Sequence, residues 1–167
     1  VNLGDRDGTT PLIWAVGIVG NAEICRMLIT HEKIDVNSLC PFFCTTALMI
    51  AAGHGKLNRG HVEICQALVQ SERTQINVKD KDGVTALSWA VRKNHIEICQ
   101  IIVTHEDIDV NTQDRSGISV LMSAARLLSV ELCELLIAAG ADIRLRDISG
   151  RSALDHAAEE WRSMTDS

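Results

Sequence analysis

The stretch Thr9-Thr10-Pro11-Leu12-Ile13-Trp14-Ala15-Val16 returns four more times along the chain, and nothing else in the sequence restricts its fold as tightly. The anchors are Leu12, Leu48, Leu87, Leu121 and Leu154, at spacings of 36, 39, 34 and 33. A second motif keeps the same step: Glu23-Ile24-Cys25, Glu63-Ile64-Cys65, Glu97-Ile98-Cys99 and Glu131-Leu132-Cys133. A third marks the seams: Val1-Asn2, Val36-Asn37, Ile76-Asn77, Val110-Asn111 and, degraded, Ile143-Arg144. A period of roughly 33 residues means that no unit can bury its apolar face alone, so successive units stack into a solenoid.

The third unit reads most cleanly. Asp80-Lys81-Asp82-Gly83 is a turn, in which Asp bonds its own backbone and Gly accepts positive φ. Thr85 then caps a short helix, as Thr10, Thr46, Ser119 and Ser152 do in their units, and Pro11 suits the first helical position. Leu87, Ala90 and Val91 form the inner face of that helix. Asn94-His95 breaks it. A second helix follows with Ile98, Cys99, Ile101 and Ile102 inward and Glu97 and Gln100 outward. The fold expected is all-α: turn, short helix, turn, longer helix, repeated.

These motifs resemble the ankyrin repeat, whose hallmark is Thr-Pro-Leu-His-x-Ala. Thr10-Pro11-Leu12, Gly60-His61-Val62-Glu63-Ile64 and Ala139-Gly140-Ala141-Asp142 each match part of that pattern, and the resemblance covers essentially the whole chain. It implies units at about 2–36, 37–76, 77–110, 111–143 and 144–167, the last partial. Departures are specific. The family His after Leu is replaced by Ile13, Met49, Ser88, Met122 and Asp155, which puts its hydrogen bond in doubt. The first unit carries one extra residue near Gly17–Gly20 and the second about five around Gly53–Gly60. The fifth keeps its inner helix (Leu154, Ala157, Ala158), while its second helix has eroded into Glu159-Glu160-Trp161-Arg162-Ser163-Met164. The chain starts at Val1 on a seam, as expected of a piece of a longer protein.

Composition narrows function. With 46% apolar residues, only 3% aromatic and no Tyr, the core is one of small aliphatic side chains rather than an aromatic-lined enzyme pocket. A net charge of −6 argues against non-specific nucleic-acid or anionic-membrane binding, and no apolar run of about 18 residues exists to span a bilayer. Cys25, Cys65, Cys99 and Cys133 share one repeat position beside a core Ile or Leu, about 10 Å apart in successive helices, too far for a disulfide. Buried, unpaired thiols imply a reducing, intracellular compartment, cytoplasmic or nuclear. His61 with His95, and His31 with His105, are likewise repeat positions; only His54 and His156 stand alone, without a nucleophile motif. Cys40, Cys44, His54 and His61 match no standard zinc spacing. A non-catalytic, monomeric module with no cofactor is expected.

The resemblance implies that turn tips and the exposed side of the short helices form a concave face for a protein partner. The tips are Arg6-Asp7, Phe42-Phe43, Lys81-Asp82, Arg115-Ser116 and Ile148-Ser149. Phe42 and Phe43 break the polar pattern: they are either exposed anchors or a turn folded inward over core opened by the nearby insertion. Trp14 and Trp89 share the position after the family His, where Ile50, Ser123 and His156 stand elsewhere. Similar Trp residues form methyl-lysine cages in some ankyrin-repeat modules of histone methyltransferases. Two repeats separate these two by roughly 20 Å, against a cage radius of about 6 Å. A single-Trp pocket is one reading, and packing against the next unit's helix is the other. The candidate binding residues are therefore Phe42, Phe43, Trp14, Ile50 and Trp89, ringed by Arg6, Asp7, Lys81, Asp82 and Arg115. The insertion Gly53–Gly60 is either a functional loop or drift. The resemblance also marks Asn37, Asn77 and Asn111 as positions that asparaginyl hydroxylases modify in some family members, and leaves open a targeting role beside a catalytic domain outside this chain.

Overall fold

The third, fourth and fifth units each begin at an aspartate that folds the backbone around itself. Asp80 Oδ1 accepts from the amides of Asp82 and Val84, Asp114 Oδ1 from Ser116 and Ile118, and Asp147 Oδ1 from Ser149 and Arg151, all at 2.8–3.0 Å. Gly83, Gly117 and Gly150 close these turns at φ of 75–80°, a left-handed conformation that a Cβ would strain. The computed structural model describes the chain except residues 1, 3, 7, 42, 54–58, 166 and 167, and the side chains of Ile18 and Val19.

The helices start where hydroxyl caps place them. The side chains of Thr10, Thr46, Thr85, Ser119 and Ser152 accept from the amides three residues on, at 3.2–3.5 Å. The elements are α1 (Pro11–Trp14), α2 (Ala22–Thr30), α3 (Ala47–Gly53), α4 (Arg59–Val69), α5 (Ala86–Arg92), α6 (Ile96–Ile102), α7 (Val120–Arg126), α8 (Val130–Ala138) and α9 (Ala153–Thr165). Among the described residues there is no strand, only isolated bridges at Cys40–Thr45 and Gln113–Ser119. The odd-numbered helices stack on one another as an inner row and the even-numbered ones as an outer row, a pair in each of the first four units and α9 alone in the fifth. The fold is the all-α repeat stack expected.

The extra residue of the first unit is absorbed in the helix. α1 runs directly into a π-helical turn at Ala15–Val19, and Gly20 at φ 56° then reverses the chain. A π turn holds one residue more than an α turn. The larger insertion lies between the end of α3 at Gly53 and the start of α4 at Arg59; residues 54–58, including His54 and Lys56, fall outside the described residues.

The missing family His is replaced in three ways. Ser88 Oγ lies 3.1 Å from Thr85 Oγ1, Asp155 Oδ2 accepts from the Ser152 amide at 2.8 Å, and Met122 Sδ accepts from the Ser119 amide at 3.4 Å. Ile13 carries no polar atom to do so.

The seams are clamped by their asparagines. Each side-chain amide donates to a carbonyl of the following seam, and each side-chain oxygen accepts a backbone N–H there. Asn2 does so with Lys33 and Asp35, Asn37 with Arg73 and Gln75, Asn77 with Asp107 and Asp109, and Asn111 with Gly140 and Asp142. Arg144 ends the series and pairs with Asp142 instead. Arg73 adds a further tie, its guanidinium donating to the carbonyls of Ile29, His31, Glu32 and Ile34 at the end of α2.

Four expectations about the core need correction. Ile101 is half-buried rather than inward. Ile24 is exposed because α2 has no outer helix before it, and Cys133 is half-buried because α8 has none after it. The fifth unit's inner face is not intact: Leu154 is 79% exposed. Cys25, Cys65 and Cys99 are buried as expected, and burial pushes their thiols up to about 11, 12 and 12.

Candidate functional site

Turn chemistry and helix caps bring the second and third units' tips over α3 and α5, and a cavity of about 560 Å³ opens between them. Its walls are Phe43, Met49, Ile50, Gly53 and Trp89, with Asp80, Lys81 and Asp82 on the rim. Five of the residues singled out from sequence (Phe43, Ile50, Lys81, Asp82 and Trp89) therefore lie together. The other described ones do not: Trp14 and Arg6 sit in the first unit, and Arg115 one tip further on. Phe42 and Asp7 lie outside the described residues.

Phe43 stands in a tight turn. The Cys44 amide donates to the Cys40 carbonyl at 2.7 Å, with Cys44 at φ 52°. The Phe43 ring is 60% exposed, so at this residue the turn does not fold inward. The Lys81 ammonium lies 5.6 Å from its centroid, within cation–π range. That contact links the second tip to the third. Later tips are tied by backbone: the Arg115 amide donates to the Asp82 carbonyl and the Ile148 amide to the Ser116 carbonyl, both at 3.1 Å.

Trp89 serves the turn before it serves any ligand. Its indole N–H donates to Asp80 Oδ2 at 3.0 Å, while the other carboxylate oxygen holds the turn. The ring lies against the preceding unit: a Cβ on Gly53 would come within 3.1 Å of it. Trp14 repeats the bond, with Asp5 Oδ2 at 2.6 Å, and so does His156, with Asp147 Oδ2 at 3.0 Å. In the fourth unit Ser123 cannot reach, and Arg92 of the preceding unit pairs with Asp114 at 2.5 Å. The two Trp are thus separate, each with its own aspartate. The signal was present in sequence as a nine-residue interval: Asp5 to Trp14, Asp80 to Trp89, Asp147 to His156.

Asp147 is the most perturbed carboxylate. Its burial works to raise the pKa, but hydrogen bonds from the Arg151 amide and side chain, the Ser149 amide and His156 outweigh it and hold it down to about 2. Three other histidines bond the backbone. His95 Nδ1 lies 2.9 Å from the Ala52 carbonyl, and Nδ1 of His31 and of His105 accepts from the amide two residues on. Among the described residues no three His, Cys, Asp or Glu side chains are placed to hold a metal ion, and no helix is long and apolar enough to cross a membrane.

Family models of the ankyrin repeat match residues 7–40, and of three consecutive ankyrin repeats residues 39–114. Residues 92 long are 41% identical to alpha-latrotoxin-Lg1a of Latrodectus geometricus, 39% to alpha-latrotoxin-Lhe1a of Latrodectus hesperus and 38% to alpha-latrotoxin-Lt1a of Latrodectus tredecimguttatus. The match takes in 55% of this chain and only 6% of each of those proteins.

Proposed function

The chain belongs to the ankyrin-repeat family, and on that premise we propose that it is a non-catalytic, intracellular protein-binding module whose anchor site is the cavity between its second and third tips. Ankyrin repeats generally mediate protein–protein interaction. The observation that carries the finer reading is the exposed Phe43 ring beside an apolar-walled cavity completed by Ile50 and Trp89. A rigid aromatic next to a pre-formed pocket suits the few anchors that dominate interface energies. Lys81 and Asp82 are exposed on its rim, and Arg6 and Arg115 are exposed on other tips, where charges set partner choice and association rate more than affinity. The reading draws on the repeats, not on the action of the toxins, whose length the chain covers so little.

The test is capture of a partner by the chain and by a Phe42→Ala/Phe43→Ala double variant. Loss of a two-residue anchor should lower partner affinity at least about 30-fold, the equivalent of ~2 kcal/mol, with the melting temperature nearly unchanged. A collapsed melt would place those residues in the core and end the anchor reading.

A second reading is a peptide or methylated-lysine reader using the same pocket. What favours it is the Lys81 ammonium 5.6 Å from the Phe43 centroid, a cation–π approach on the ring beside that pocket. Titration with methyl-lysine peptides followed by Trp fluorescence tests it, and a flat response removes it. The intracellular placement is supported by six cysteines that are all free, three of them deeply buried.

A further inference from the structure

The repeat's anchor leucine is the most dependable core residue of this chain. Leu12, Leu48, Leu87 and Leu121 are no more than 4% exposed, yet Leu154 is 79% exposed. The cause lies in one turn position. Asn94, seven residues after Leu87, and Leu128, seven after Leu121, take φ of 56° and 54° and fold the chain back into an outer helix. Seven residues after Leu154 stands Trp161, inside α9, which runs on helically to Thr165. α9 is thus 13 residues long where α3, α5 and α7 have seven. Among the described residues no outer helix of the fifth unit forms beside α8.

The slot that such a helix would fill is a groove of about 900 Å³ between α8 and α9, walled by Leu121, Ala125, Val130, Ile137 and Leu154, with Trp161 at its edge. The last turn of α9 is exposed from Trp161 to Thr165 and carries Trp161 and Met164, three residues apart on one helical face. Hole and knob therefore lie on the same end of the molecule. A patch that contains both can pair with a copy of itself, and an isologous pairing closes at two copies around a two-fold axis.

We propose that this end of the stack is a homodimer interface, in which the last turn of α9 from one copy enters the α8–α9 groove of the other, and reciprocally. The occupant is a second copy because the exposed apolar knob beside the groove is this chain's own. The area is also sufficient. Val130, Ile137, Ile143, Leu154, Trp161 and Met164 are each more than half exposed there, and six large apolar side chains offer on the order of the ~800 Å² that each partner buries in a standard interface. The pairing is independent of the Phe43 cavity, which lies three tips away.

Light scattering on the 167-residue chain at about 100 µM, far above a micromolar dissociation constant, reads the outcome. The expected mass is twice 18.3 kDa. Trp161→Glu and Leu154→Ser, both at exposed positions, should each return it to a single copy with unchanged circular dichroism melts, while Phe43→Ala leaves the dimer intact. A single-copy mass for the unaltered chain overturns the proposal, whether the groove is then empty or filled by a helix of another protein. So does a two-copy mass that survives both substitutions. A mass that grows past two copies with concentration, as head-to-tail stacking would give, overturns it as well.

Discussion

At Asp5, Asp80 and Asp147 the turn carboxylate is divided between two tasks, one oxygen folding the turn and the other receiving a ring N–H from the helix nine residues on. At Asp80 both oxygens are engaged and the residue is buried. Trp89→Phe keeps most of the ring and removes its donor, leaving a buried acceptor unpaired; we expect a loss of about 1–2 kcal/mol in urea unfolding. Asp80→Asn in the same background should then cost little more. At Asp147 the depressed pKa means that the folded state favours the ionised form. Its contribution is complete above the unfolded carboxylate value of about 3.9 and is lost as pH falls through about 2. The Ser149 and Arg151 amide resonances should therefore shift between about pH 4 and pH 2, and an Asp147→Asn variant should lack that transition. This level was only half visible in sequence. The turn and its glycine follow from Asp80-x-x-Gly83, but a bond from Trp89 back to Asp80 depends on the helix leaving the turn at one particular angle.

At the scale of elements, the seams rather than the helices hold the register of one unit on the next. Asn77 donates to the Asp107 carbonyl at 2.6 Å and accepts from the Asp109 amide at 2.9 Å, both on exposed backbone. Asn77→Ala should cost about 1–2 kcal/mol for the two bonds, while Asn77→Asp, which keeps only the acceptor, should fall between; urea midpoints measure both. The recurrence of Asn2, Asn37, Asn77 and Asn111 announced seams, yet its purpose needed the partner unit in place. Helix ends were legible wherever a cap or a left-handed residue marks them, as at Thr85 and Asn94. They were not legible at Trp161, where the missing turn residue lets α9 run on, nor in the π turn at Ala15–Val19, which hides an insertion inside a helix.

At the scale of the whole molecule, the cavity joins residues about 40 positions apart. Phe43 and Ile50 come from one unit, Lys81, Asp82 and Trp89 from the next, and only the stacking of α3 on α5 brings them to one opening. Sequence reasoning reached these residues as breaks in a pattern. It could not see that they share a space, nor that Trp14, Arg6 and Arg115 stand outside it. The two ends of the stack also differ: Ile24 and Met27 are exposed at one, and the α8–α9 groove lies open at the other. The central claim is that partners bind on the side of the tips and inner helices, at this cavity. Amide hydrogen exchange of the chain with and without a captured protein partner tests it most directly. The account predicts slowed exchange at residues 43–50 and 80–89, with α2, α4 and α6 unchanged. Protection confined to those outer helices, with the cavity residues exchanging as before, would contradict it.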